Sequence, residues 1–341
     1  MPDLLPDKTL NALVDRLLLE QGRLDPLELL LAADLLAYED YEAWRLGRRA
    51  ELQPLIRAEA GEAAGLLGRA IRYAEAQGLA AVAREHRGWG GMAASLPIGS
   101  DPELRRACSR VLEPPPDRHQ LDLFQDSTAL LLEEEVRAAL AERRVDAARE
   151  GVARLMRQEP GHRHLPGYLR LVEVIDEDAG PDLQERLSEL ETIEPLTRDL
   201  LGHRQRDYLA PLWTALAEAL AGLPYDPAAP RLHSAYAWSR AGHWRAAIEA
   251  VGAEPGWRDH PPLVLTHAEA CWRGGDTDAA RSDWLWLAWE HPLEAERAFA
   301  SPTLPDRRIA DLWHVFGDLD SPLESEDFPA WLLLEDPGAF G

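Results

Sequence analysis

Apolar residues recur at intervals of three and four along almost the whole chain, the spacing that gathers them on one face of an α-helix. Runs that alternate apolar with polar between turn signals are scarce. The periodicity therefore restricts the fold to the all-α class. In the first third, Thr9 to Gln21, Asp25 to Gly47, Glu51 to Gln77 and Asp101 to Leu112 read as helices. Asp25-Pro26 and Asp101-Pro102 each place a capping oxygen before a proline suited to a first helical turn. Arg87-Gly88-Trp89-Gly90-Gly91-Met92 lacks the lysine and Ser/Thr of a phosphate-binding loop and follows no expected strand, so a turn suffices to explain it. Consecutive prolines at Glu113-Pro114-Pro115-Pro116-Asp117 stop any helix. They set the expected limits: a helical domain over 1–112, a Pro-rich linker over 113–127, helix pairs over 128–300 and an acidic closing segment over 301–341.

The helix pairs have a register that can be followed residue by residue. Ala268, Gly275, Ala280, Trp284, Leu287, Ala288 and Pro292 supply a small residue, a turn glycine, a second small residue, an aromatic, an apolar pair and a closing proline. Val136, Ala148, Val152, Leu155, Met156 and Pro160 repeat that order earlier, with Val136 in the first small position and Arg143 where the turn glycine falls. A third segment has Trp238, Gly242, Ala246 and Ala247 in register, but Pro255 comes four residues early, which makes its second helix about one turn short. The pattern resembles the tetratricopeptide repeat, and the resemblance covers roughly a third of the chain. It implies an α-solenoid of antiparallel helix pairs, a scaffold for binding peptides and proteins with no common active site. Asp182 to Leu201 and Arg206 to Leu220 read as helices without the signature.

Composition removes several functions. Lys8 is the one lysine against thirty-five arginines, whereas a Walker loop, a Schiff-base enzyme and a kinase-type site each need a positioned lysine amine. A formal net charge of −24 repels a phosphate backbone and argues against direct nucleic-acid binding. Two cysteines, Cys108 and Cys271, make no disulfide framework or paired zinc spacing. No His-Glu-x-x-His occurs, His162 and His164 lack a third ligand in the sequence, and Asp176, Asp178 and Asp182 miss the spacing of a calcium loop. No serine sits in a Gly-x-Ser-x-Gly elbow. No catalytic, cofactor or metal residue is therefore assigned.

Three features are candidate partner sites. Arg154, Arg157 and Arg163, with His162, His164 and Arg170, form a basic cluster that reads either as a solvated helix terminus or as a site for an acidic peptide. Gln120-Leu121-Asp122-Leu123-Phe124, after the proline run, resembles the pentapeptide with which bacterial replication and repair proteins dock on the sliding clamp. That resemblance implies that Leu121, Leu123 and Phe124 fill an apolar pocket while Gln120 makes polar contacts. The last 26 residues hold seven acids and no Lys or Arg, interleaved with Phe328 and Trp331. They read as a cap on the array or as a docking tail, and three consecutive leucines beside Trp331 favour the cap. Trp284, Trp286 and Trp289 cannot share one helical face, which predicts a helix buried on two sides.

The expectation is a cytoplasmic, non-catalytic scaffold or adaptor that binds a protein or peptide, with neither cofactor nor membrane span; self-association is compatible with such an array. Two alternatives stand beside it: a clamp-associated factor in DNA replication or repair, and an enzyme of unrecognised type.

Overall fold

The computed structural model describes residues 4–90, 95–115, 126–176, 182–319 and 323–335, with the backbone alone at 126–129 and 176. Its described part is all-α apart from one two-stranded sheet, and it forms two compact units, Met1–Leu212 and Trp213–Gly341. No described helix is long and apolar enough to cross a membrane.

The first unit begins with α1 (Asp7–Gln21), which buries Leu10, Val14 and Leu17 and ends at left-handed Gly22. The helix expected over 25–47 is two helices, α2 (Pro26–Ala32) and α3 (Tyr38–Arg45). Between them Asp34 is left-handed and Leu36 bridges Ile56, so the apolar run changes direction without changing composition. Asp25 accepts the backbone N–H of Leu27 and starts α2 in the expected way. The expected helix over 51–77 is likewise shorter, α4 (Ala60–Ala76), preceded by a single tight turn at Gln53–Leu55.

A further correction concerns strands. The helix beginning at Asp101 stops as α5 (Pro102–Cys108), and Arg110–Glu113 becomes β2, antiparallel to β1 (Ala80–Ala83). Leu24 bonds the other edge of β2 through Leu112. Val111 and Leu112 are buried, which is what a short strand inside a helical core gains from its β-branched and apolar side chains.

The unit continues with α6 (Asp126–Ala141), α7 (Val145–Gln158), α8 (Leu165–Asp176), α9 (Leu183–Leu201) and the start of α10 (Gln205–Leu220), as far as Leu212. Helices α6 and α7 pack as a hairpin across the turn 142–144. They approach closely at Gly151, where a Cβ would lie 2.8 Å from Val136 Cγ2. Arg143, at the turn position that glycine fills elsewhere, adopts φ 59°.

The second unit contains α11 (Ser234–Ala241), α12 (Trp244–Gly252), α13 (Pro261–Gly274), α14 (Thr277–Glu290), α15 (Pro292–Phe299), α16 (Arg307–Gly317) and α17 (Phe328–Glu335). Through this series each helix packs on the next. Left-handed Gly242 and Gly275 make the turns between α11 and α12 and between α13 and α14. Helix α12 has 9 residues against 14 in α14, in line with its early proline. Ala268, Ala280, Trp284, Leu287 and Ala288 are buried in the α13–α14 pair. Trp286 and Trp289 are 39% and 58% exposed, so α14 buries one face, not two. At the end, Phe328 is buried among Phe299, Trp313 and Phe316, with ring centroids 5.6, 4.9 and 5.3 Å away.

Candidate functional site

A cleft of about 580 Å³ in the first unit is lined almost entirely by charged and aromatic side chains. Arg23 and Asp25 enter it from the α1–α2 connection. The intervening Leu24 is tied to β2 and buried, so its neighbours face the opposite way. Helix α2 contributes Glu28, and α3 contributes Tyr41 and Arg45 one turn apart. The segment after β1 supplies Arg84, His86, Arg87 and Trp89. It is held by Trp89 N–H donating to Arg45 O at 2.8 Å and by Gly90 N–H donating to Glu142 O at 3.0 Å. Glu142 and Arg144 come from the α6–α7 turn, and His203, Arg204 and Asp207 from the start of α10 and the turn before it.

The Trp89 indole is the centre of one wall. Tyr41 meets it edge-on at 5.6 Å, and the guanidinium groups of Arg143 and Arg45 lie over it at 4.7 and 5.4 Å. Arg143 also pairs with Glu42 at 2.5 Å and donates to the Asp207 carbonyl at 3.1 Å. A left-handed arginine is costly, and these three contacts are what hold it in place. Behind Asp207, the Tyr38 hydroxyl donates to its carboxylate at 3.0 Å, and Arg206 stacks 4.2 Å over the Tyr38 ring.

Six arginines and five carboxylates line the cleft. Arg84, Arg144 and Arg204 each have a carboxylate partner, at 2.9, 2.9 and 3.0 Å from Glu113, Glu142 and Glu134. The buried Nε atoms of Arg23 and Arg45 have no hydrogen-bond partner. Burial and the like charge of Arg204 lower the Arg23 pKa, and burial with Arg204 and Arg23 pushes His203 down to about 4. His86 is lowered by burial and bonds the Cys108 carbonyl at 2.9 Å. On the acidic side, burial pushes Glu28 up to about 7 and raises Asp207, against the pull of Arg206 on both.

The sequence-based candidates lie elsewhere. Arg154 pairs with Glu135 at 2.7 Å on the α6–α7 hairpin, and Arg157 and Arg163 are exposed. Gln120, Leu121, Leu123 and Phe124 fall outside the described residues. Phe328 is buried in the second unit, and half-buried Trp331 lies 5.4 Å from Phe316. The glycine-containing segment that reads as a simple turn is a wall of the cleft, with Trp89 buried. Arginine in place of a turn glycine at 143 was the local signal pointing there.

Two side-chain groups among the described residues have the donor set for a metal: Glu133 with His162 and His164, and His267 with Cys271 and Asp283. Folding gives the two histidines the third partner they lack in sequence, but Glu133 is already engaged. It accepts from Arg137 and Tyr168, both at 2.9 Å, and is 2.5 Å from His164 Nδ1. Despite burial, the hydrogen bonds of His164 and Tyr168 hold Glu133 below the usual carboxylate range. His162 Nδ1 accepts the His164 backbone N–H at 3.3 Å, which fixes that ring in the loop.

No protein-family model, characterised protein or solved structure matches the chain.

Proposed function

We propose that the protein is a non-catalytic binding module that receives an acidic segment of a protein or peptide partner in the arginine-lined cleft. Helix pairs of the tetratricopeptide type serve as its scaffold. The observation that carries this reading is Arg23: a guanidinium on the wall of an open cleft, lowered in pKa by burial and by the like charge of Arg204. A carboxylate in the cleft relieves that crowding of like charges. A peptide fits better than a polyanion because Asp25, Glu85 and Glu142 are interspersed with the arginines. A chain of net charge −24 confines such attraction to one place.

The test is fluorescence anisotropy of labelled Asp/Glu-rich peptides with the whole protein at low salt. Arg23→Met with Arg204→Met is expected to weaken binding at least about tenfold, equivalent to about 1.4 kcal/mol. Arg157→Met with Arg163→Met is expected to leave it unchanged. Binding lost equally in both pairs, or absent for every acidic peptide, refutes the cleft as the site.

One observation favours a catalytic reading instead. Glu28, with a pKa near 7 at the edge of an arginine cleft, has the protonation behaviour of a general acid–base on an anionic substrate. Turnover that survives purification and disappears in Glu28→Gln would replace the binding reading with that one.

A further inference from the structure

In the second unit, α13 presents His267 and Cys271 four residues apart, hence on one face, and α14 presents Asp283 to that face. His267 Nδ1 lies 2.5 Å from Asp283 Oδ2 and 3.6 Å from Cys271 Sγ. One donor atom from each residue falls within 4.8 Å of the others. Asp283 and Cys271 are buried, and His267 is half-buried.

We propose that His267, Cys271 and Asp283 form a three-ligand zinc site that ties α13 to α14, with water as the fourth ligand on the solvent side of His267. Tetrahedral zinc with Zn–N near 2.05 Å and Zn–S near 2.3 Å separates nitrogen from sulfur by about 3.6 Å, and nitrogen from oxygen by about 3.3 Å. The first separation is already present. The second requires the His267–Asp283 hydrogen bond to open by about 0.8 Å as the ion replaces the shared proton, which the imidazole takes up on Nε2 by changing tautomer.

The donor chemistry agrees. With one carboxylate and one thiolate on a dication, the filled site is neutral. Coordination takes the Cys271 sulfur as thiolate and releases its proton to solvent. The surroundings orient the ligands as an outer shell does. Arg258 Nη2 lies 3.7 Å from Asp283 Oδ1, leaving Oδ2 for the ion, and the Trp257 ring packs 4.6 Å from the His267 imidazole. The Glu133 group differs in having no sulfur, and its Oε1 accepts from both Arg137 and Tyr168.

Titration of metal-free, tag-free protein with Co²⁺ tests the site. One equivalent is expected to produce a thiolate-to-cobalt charge-transfer band and the intense visible bands of a tetrahedral ion, both removed by Zn²⁺. Cys271→Ser is expected to abolish the charge-transfer band, while Cys108→Ser, the other cysteine, retains it. His267→Gln is expected to weaken Co²⁺ binding at least tenfold with unchanged circular dichroism. Zn²⁺ is expected to raise the melting temperature of the unaltered protein, a readout that needs no variant. Absence of both the band and the thermal shift overturns the proposal, as does a charge-transfer band that persists in Cys271→Ser or is lost in Cys108→Ser.

Discussion

Replacing Arg143 with glycine separates two views of the α6–α7 turn. Repeat spacing places glycine there, and the left-handed backbone favours it, so the backbone alone gains about 1 kcal/mol on Arg143→Gly after the greater flexibility of unfolded glycine is counted. Against this, the substitution removes a guanidinium that pairs with buried Glu42, donates to the Asp207 carbonyl and covers Trp89. Withdrawing one partner of a buried pair costs about 3–5 kcal/mol. The balance is a loss of about 2–4 kcal/mol, which for a unit of some 200 residues lowers the melting temperature by about 5–15 °C. Urea and thermal unfolding followed by circular dichroism measure it. In a Glu42→Gln background the same change is expected to cost at least about 1 kcal/mol less, because the two residues act as a pair. A glycine variant as stable as the parent, or more so, would show that the turn follows local backbone preference and that the arginine's contacts contribute nothing.

Glu28 gives a pH signature. Its pKa is raised from 4.5 to about 7, so the folded state binds this proton more tightly than the unfolded chain. Stability contributed by the protonated form is full below about pH 4.5 and is lost as pH rises through about 7. Glu28→Gln is expected to remove that slope, its stability relative to the parent rising by about 3 kcal/mol between pH 4.5 and 7.5 in melts at graded pH; a flat difference contradicts the assignment. Phe328→Ala is expected to cost about 3–5 kcal/mol because it empties the aromatic cluster, whereas Leu334→Ala, at 84% exposed, changes little. Equal effects in thermal melts would count against α17 as a packed cap. Gly65→Ala, exposed in α4 with open space at its Cβ, is expected to stabilise by up to about 1 kcal/mol, whereas Gly151→Ala meets Val136 and is expected to lose that gain. Melting temperatures that rise alike would show that α6 and α7 can separate without cost.

The helix hairpins were legible because their signals are local: small residues where helices cross, a turn glycine, a proline starting the next helix. Ala268, Gly275 and Pro292 all fall within one such unit of sequence. The break between α2 and α3 was not legible, because Leu35, Leu36 and Ala37 continue the apolar pattern straight through it. Nor were the strands: Ala80–Ala83 is an exposed run without alternation, and its partner lies about thirty residues on. The three tryptophans of α14 predict two buried faces on the premise that aromatic residues are buried, whereas Trp286 and Trp289 lie on the solvent side. The cleft was hidden most thoroughly. Arg23, Arg45, Arg84, Arg144 and Arg204 come from five separated segments, none of which is basic enough to stand out alone. The basic cluster that did stand out, Arg154 to Arg170, has Arg154 on Glu135 and Arg170 on Glu189.

The same scattering sets a schedule for the growing chain. Arg23 leaves the ribosome about 180 residues before His203 and Arg204, which its wall of the cleft faces. At about 5–20 residues per second, that interval lasts roughly 10–40 s, during which Glu28 and Tyr38 await Arg206 and Asp207. The α13–α14 hairpin faces no such delay, since its two helices are separated only by Gly275 and Asp276. During synthesis, then, the first unit is made first yet stays incomplete longest, and its nascent form is the stage at which chaperone protection matters most.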